Sequence, residues 1–233
     1  MNNMKIKFRY FWGFILLGIS SIVTGQNVFE NDSLKYWQPE TKITWNDFKS
    51  DTVGFMNLNS KYNMKAYSFC YLKSILDVPK KKRDRGKKLE KIYFAPCLVK
   101  HKSVSITTDS LELAKQKVYL DITELFARKA RMRLEALRDT IGNAYGVYWM
   151  SYSKIVSKIC KERNEMYAGY TNDVFLLKIE GDYEKWRDYI NQQLSQTEKY
   201  ATKPEDCLRF LTGKPLSEDY IMSPDYLGEI NCN

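Results

Sequence analysis

The first half of the chain carries apolar residues at short, partly alternating intervals from Ile43 onward. Apolar and polar side chains alternate at residues 62–66, and comparable runs follow at residues 92–99 and 104–107. A period of two is typical of strands that bury one face. Proline and glycine at residues 79–86 indicate a turn region between these runs. The pattern therefore predicts a small, half-buried antiparallel sheet.

The second half changes to a helical period. Residues 110–138 place apolar side chains every three or four positions, and Asp109 begins a capping box in front of them. Residues 148–168 and 182–200 repeat the helical pattern, with a strand predicted between them at residues 174–179. Together these patterns predict an α+β fold, in which the sheet packs on one long helix and two further C-terminal helices.

The N-terminal segment has the composition of a signal peptide. Basic residues precede an apolar run at residues 11–23, and small residues follow it. We expect cleavage near Gly25 and export to the periplasm or the cell exterior, with an uncleaved membrane anchor as the alternative. Because a span needs about 20 apolar residues, we expect no integral membrane span after cleavage.

The chain divides into four parts on composition. We assign residues 1–25 to the signal peptide and residues 26–40 to an extended lead-in. Residues 41–200 form the α+β domain, and residues 201–233 form a loop-rich tail with a short helix around Cys207.

Positive charge is concentrated in one loop. The formal net charge is +9, and the signal peptide accounts for three of these charges, which leaves +6. Residues 80–91 alone carry a net +6, so this is a local basic loop rather than a basic protein. It is either a solvated hairpin tip or a contact for an anionic surface, and export argues against a nucleic-acid partner. The candidate contact residues are Lys80, Lys81, Lys82, Arg83, Arg85, Lys87 and Lys88.

The chain has five cysteines, an odd number, and none has Cys-x-x-Cys spacing. Export permits disulfides. We interpret these cysteines as small buried residues or as one or two structural bridges, and the spacing leaves the pairing open.

Three motifs occur in a family-like order. Residues 43–48 read Ile-Thr-Trp-Asn-Asp-Phe, and residues 121–129 read Asp-Ile-Thr-Glu-Leu-Phe-Ala-Arg-Lys. Residues 167–173 read Tyr-Ala-Gly-Tyr-Thr-Asn-Asp, and Trp186 follows. Across about residues 43–195 the chain resembles a bacterial family described as predicted secreted zinc-dependent proteases. The resemblance implies an opening strand at the first motif and a zincin-like helix. In such a helix a His-Glu-x-x-His sequence holds Zn²⁺ and activates its water.

The metal ligands that the resemblance implies are replaced. It puts the two histidines at Lys115 and Tyr119, the glutamate at Gln116, and a later histidine at Asp173. A lysine ammonium repels Zn²⁺, a glutamine cannot take a proton, and tyrosine is a poor ligand until deprotonated. We therefore expect a degenerate site with no metal, no cofactor and no catalytic residue.

Two further expectations concern single residues. We expect Lys115 to pair with Glu124 or Asp173 in place of the metal. His101 is the only histidine, and a lone histidine near a strand end is more often a surface residue than a metal ligand. Serine or cysteine catalysis would also need His101 as its base.

The resulting expectation is an exported, catalytically inactive, metallopeptidase-like envelope protein that binds an unknown peptide or protein partner or has a structural role. One alternative is a residual hydrolase in which Asp121, Glu124 and Asp173 hold a hard cation. A second is an envelope-surface binder that acts through residues 80–91.

The resemblance could also be accidental. In that case the long helix is simply amphipathic, and its charged residues form a solvated face with a Glu124–Arg128 pair one turn apart. The residues of that face are Asp121, Glu124, Arg128 and Arg131.

Overall fold

The structure is a computed structural model that describes residues 29–52, 64–85, 87–141, 147–224 and 230–231. The fold is α+β, as the sequence pattern predicts. The predicted signal peptide, Tyr62 and Cys232 lie outside the described residues.

The main sheet is antiparallel and is built around one long hairpin. Its order is β1-β4-β3-β6, and β7 also pairs with β3. In the β3–β4 hairpin, Cys70 lies opposite Leu98 and Asp77 lies opposite Lys91. Strands β2 and β5 form a separate two-stranded ribbon. The strands are β1 Leu34–Tyr36, β2 Ala66–Tyr67, β3 Cys70–Pro79, β4 Lys91–Val99, β5 Val104–Ser105, β6 Tyr220–Met222 and β7 Ile230–Asn231.

Four helices complete the described fold, and the three long ones confirm the predicted helical patterns. They are α1 Ser110–Ile141, α2 Val147–Thr171, α3 Asp182–Gln196 and α4 Pro204–Thr212. The α3 helix ends earlier than expected, because a 3-10 turn at Glu198–Tyr200 replaces its last turn. The short helix expected around Cys207 is confirmed as α4.

Two predicted strands are wrong. Residues 174–179 lie largely in a π-helical turn, Asn172–Leu177, that continues from α2 and buries Val174 and Phe175. The first family-like motif forms a 3-10 turn at Trp45–Asp47. There the buried Asp47 carboxylate accepts the Thr44 N–H at 2.8 Å and the Lys35 ammonium at 2.7 Å. These contacts hold a tight turn where apolar spacing alone indicated a strand.

Both faces of the sheet are covered, so the half-buried sheet predicted above is wrong. One face, with Leu72, Leu76 and Phe94, joins the main core with α1 and α2. On the other face, Cys207 of α4 packs against Cys97 of β4. The additional cover comes from the C-terminal residues, whose pattern indicated mainly loop.

A buried ion pair fastens α4 to the sheet. Arg209 donates from Nε and Nη2 to the two carboxylate oxygens of Asp77, each at 2.7 Å, and both side chains are fully buried. Such a bidentate pair fixes orientation as well as position. Strands β6 and β7, which follow α4 in the chain, then pair with β3.

The cysteines fall into two chemical states. Cys160 is disulfide-bonded, whereas Cys70, Cys97 and Cys207 are buried and form no disulfide. Burial raises the pKa of the Cys207 thiol to about 12, so this cysteine remains a neutral thiol at physiological pH.

Within the described ranges, no helix combines the length and the apolar character that crossing a membrane requires.

Candidate functional site

The N-terminal half of α1 carries three of the four positions that the family resemblance singles out. Asp109 starts this helix, because its Oδ1 accepts the N–H groups of Leu111 at 2.7 Å and Glu112 at 3.0 Å. These backbone hydrogen bonds lower the pKa of Asp109 below its usual range. The cap fixes the register of the helix and therefore the directions of Lys115, Gln116 and Tyr119.

Lys115 is partly exposed and forms an ion pair within its own helix. Its ammonium donates to Glu112 Oε1 at 2.8 Å, one turn earlier, and lies 5.8 Å from the centre of the Phe175 ring. The pairing expected with Glu124 or Asp173 is therefore wrong. A partner one turn away on the same helix is closer than either of those carboxylates and needs no tertiary contact.

Gln116 points in the opposite direction, into the core. The residue is fully buried, and its Oε1 accepts the backbone N–H of Ser68 at 2.8 Å. Its Nε2 and the Ser68 hydroxyl are both buried without a hydrogen-bond partner. Gln116 thus joins α1 to the start of β3 and does not reach the open side of the helix.

Tyr119 is the centre of an aromatic cluster. Its ring meets the rings of Tyr167 and Tyr170 edge-on at 5.1 and 5.0 Å and stacks on Phe175 at 6.3 Å. Its hydroxyl forms a hydrogen bond with the Thr171 hydroxyl at 2.8 Å. Burial raises the pKa of Tyr119 well above its usual range, so the phenol stays protonated.

Asp173 joins the same cluster from the π-helical turn. Its Oδ2 accepts the indole N–H of Trp186 at 2.9 Å, and the Trp186 ring meets Tyr170 edge-on at 5.7 Å. Lys115, Tyr119 and Asp173 thus lie around one group of aromatic rings, whereas Gln116 is bonded to Ser68. Tyr170 also donates its hydroxyl to the Lys115 carbonyl at 2.8 Å.

These residues do not fit a zinc ion. Lys115 presents a cation, and Gln116 uses its acceptor oxygen on Ser68. Tyr119 is held as a neutral phenol in a packed aromatic environment, and Asp173 is committed to Trp186. A zinc site needs three or four donor atoms that converge on one point, and these side chains offer no such arrangement.

The polar residues farther along α1 serve structural pairs. Asp121 accepts the ammonium of Lys117 at 2.6 Å and the indole N–H of Trp37 at 2.8 Å. Glu124 accepts Arg128 Nε at 2.7 Å and the backbone N–H of Thr202 at 2.9 Å. In the described ranges, no three histidine, cysteine, aspartate or glutamate side chains come together as a metal site would require.

The interpretation of this helix face as solvated is wrong. The Glu124–Arg128 pair exists, but Glu124 is 0% exposed and Arg128 is 2% exposed. Arg128 also donates to the Leu194 carbonyl, and Arg131 donates to Asp206 at 3.0 Å. Glu124 and Arg128 are buried because residues 194–206 fold back over this part of the face, whereas Asp121 and Arg131 are partly buried.

Two other predicted features lie on the surface. His101 is exposed in a 3-10 turn, Lys100–Lys102, at the end of β4. The basic loop forms the tip of the β3–β4 hairpin and contains a 3-10 turn at Lys82–Asp84.

An open cleft lies beside Lys115, between the start of α1, the π-helical turn and the start of α3. Its volume is about 420 Å³. Ile179 and Leu111 supply apolar rim positions, at 55% and 49% exposed. The lining residues are Lys65, Leu111, Glu112, Lys115, Val174, Phe175, Lys178, Ile179, Gly181, Tyr183 and Glu184.

Sequence reasoning missed most of this cleft. Lys178 has a left-handed backbone with φ of 52°, and its N–H donates to the Asp173 carbonyl, which ends the π-helical turn. This turn leaves Leu176, Leu177 and Ile179 exposed. Their apolar run was the available signal, but it was interpreted as a strand.

Comparison of the chain with protein-family models, curated proteins and solved structures found no match in any of the three.

Proposed function

We propose that this protein is an exported, non-catalytic, peptidase-like protein that binds a peptide in the cleft beside Lys115. The observation that carries the proposal is the position of the cleft. It lies along the part of α1 where the family resemblance puts a metal site, and exposed apolar and cationic side chains line it.

The lining chemistry indicates what kind of peptide would bind. Leu111 and Ile179 offer apolar contact, and the Lys65 and Lys178 side chains are exposed cations with no ion pair among the described residues. A peptide that alternates apolar and acidic side chains would match both features. Lys65 directly precedes β2, so an extended peptide would lie next to the β2–β5 ribbon and could add to it by backbone pairing.

The absence of catalysis in this proposal follows from the residues at the implied metal positions. With lysine, glutamine and a buried tyrosine there, these positions supply neither zinc ligands nor the glutamate that would activate water. We infer that a bound peptide is released intact.

A peptide-display selection against the purified protein tests the proposal, followed by affinity measurement on Leu111→Asp. A carboxylate at this rim position removes apolar contact and repels an acidic peptide, so we expect at least about a tenfold loss of affinity. Met150→Asp is the matched control, because Met150 is another exposed apolar residue, 68% exposed, on a different helix.

Equal affinity for wild type, Leu111→Asp and Met150→Asp would show that selected peptides bind elsewhere. Cleavage of the bound peptide by the wild-type protein would contradict the non-catalytic part of the proposal.

A further inference from the structure

Residues 80–85 and 87–88, at the tip of the β3–β4 hairpin, form hydrogen-bonded turns. The 3-10 turn, Lys82–Asp84, is closed by the N–H groups of Lys87 and Lys88, which both donate to the Asp84 carbonyl at 2.9 Å. Arg85 donates from Nε to the Pro79 carbonyl at 3.0 Å. These hydrogen bonds set where the basic residues leave the backbone relative to the sheet.

A second segment, residues 213–219, is hydrogen-bonded to this tip. The Lys80 N–H donates to the Asp219 carbonyl at 2.8 Å, and Lys91 donates to the Ser217 hydroxyl at 2.7 Å. Tyr220 donates its hydroxyl to the Leu89 carbonyl at 2.9 Å. This segment also presents Leu216 at 38% exposed, so an apolar side chain accompanies the cations.

The cations at the tip are poorly neutralised. Lys88 pairs with Asp219, and Arg83 lies 3.9 Å from Asp84. No carboxylate among the described residues pairs with the other four lysines, and all four are exposed. These four residues are Lys80, Lys81, Lys82 and Lys87.

Three basic residues elsewhere in the protein are, in contrast, buried in ion pairs. Lys35 and Lys100 are buried around Asp47, and Arg209 is buried on Asp77. Like charges held together without partners repel one another, so a concentrated group of unpaired cations favours an anionic partner.

We propose that the hairpin tip docks on an anionic lipid bilayer surface. A cluster of four to eight basic residues is the size that such surfaces attract, and each charge strengthens binding about fivefold. A flat bilayer suits a protruding tip, since all the cations can approach the headgroups at once while Leu216 enters the interface.

This docking would leave the cleft accessible. Lys65, which lines the cleft, lies shortly before β3 begins, whereas the basic tip follows the end of the same strand. A ten-residue strand separates its two ends by about 30 Å. A protein held at the tip would present its cleft away from the lipid, although the docking proposal does not depend on the cleft having a ligand.

The test is sedimentation of the full chain with vesicles of phosphatidylcholine alone or mixed with phosphatidylglycerol. An apolar N-terminal segment would add the same partitioning to every variant, so the quantity compared is the preference for phosphatidylglycerol. The preference should be about a hundredfold weaker in the triple variant Lys81→Gln, Lys82→Gln, Lys87→Gln than in the wild type. High salt should weaken wild-type binding to a similar degree.

The matched control is Lys154→Gln, Lys158→Gln, Lys161→Gln. These three lysines are also exposed, and they lie along α2, so the change in net charge is identical. We expect this control to retain the wild-type preference.

Three outcomes would overturn the proposal. Equal losses in the two triple variants would mean that net charge, not the hairpin tip, causes the attraction. The absence of a wild-type preference for phosphatidylglycerol would exclude an anionic bilayer. Binding to soluble polyphosphate with no vesicle preference would identify free phosphate chemistry as the partner instead.

Discussion

The start and the middle of α1 handle charge in opposite ways. Near the start, Lys115 and Glu112 form a partly exposed pair at the margin of an open cleft. Near the middle, Glu124 and Arg128 are buried and are bonded to residues 194–206. A charged residue of α1 therefore has a structural role where the C-terminal chain covers it, and it is available for binding where the helix borders the cleft.

This difference reverses the simplest interpretation of the sequence. The family-like motif at residues 121–129 draws attention to Glu124 and Asp121, yet both carboxylates are committed to neighbouring side chains. The open side of the helix lies roughly two to four turns earlier, around Leu111 and Lys115.

The largest expected effect comes from breaking the buried ion pair between Glu124 and Arg128. Arg128→Met would leave the Glu124 carboxylate buried without its guanidinium partner, and removing one member of a buried pair costs about 3–5 kcal/mol. We expect the free energy of unfolding in urea to fall by that amount. A loss below about 1 kcal/mol would mean that the pair behaves like a surface salt bridge.

A smaller effect on stability is expected from a change in the aromatic cluster around Tyr119. Tyr119→Phe keeps the ring contacts but removes the hydrogen bond to Thr171, which corresponds to about 1 kcal/mol of stability. Thermal or urea unfolding would measure it. An unchanged stability would show that the hydroxyl is not needed to hold the π-helical turn against α1.

A stabilising change is available in the same region. A Cβ on Gly169 of α2 would lie 3.5 Å from the Trp186 ring, which is an ordinary packing distance. Gly169→Ala should therefore raise the free energy of unfolding by about 0.4–1 kcal/mol, because alanine loses less conformational freedom in a helix. Destabilisation would mean that α2 and Trp186 are packed more tightly than the contact distance indicates.

The smallest expected effect comes from removing the partly exposed ion pair between Lys115 and Glu112. Lys115→Met removes an ion pair between residues one turn apart on the same helix, which stabilises a helix by about 0.2–0.5 kcal/mol. The comparison with Arg128→Met is sharp, since both variants replace a basic residue of α1 by methionine. Similar losses of unfolding free energy in the two variants would show that the buried pair and the partly exposed pair contribute equally to stability.

The sequence predicted those features that depend on neighbouring residues. The helical period and the Asp109 cap predicted α1, and the spacing of four predicted the Glu124–Arg128 pair. Burial of this pair was not predictable, because Thr202 and Leu194 reach it from more than 60 residues away in the chain.

Cover of the second sheet face was missed for the same reason. It depends on the buried contact between Asp77 and Arg209, which lie far apart in the chain. The cleft was missed because the left-handed residue Lys178 turns an apolar run outward that would otherwise read as a strand.

The central claim is that the cleft beside Lys115 operates without a zinc ion. Elemental mass spectrometry of the purified protein, after dialysis against trace zinc and then against zinc-free buffer, tests it most directly. The account predicts almost no retained zinc, because the residues at the implied ligand positions are a cation, a buried amide and a buried phenol. Retention of about one zinc ion per chain, as a structural or catalytic site would give, would contradict it.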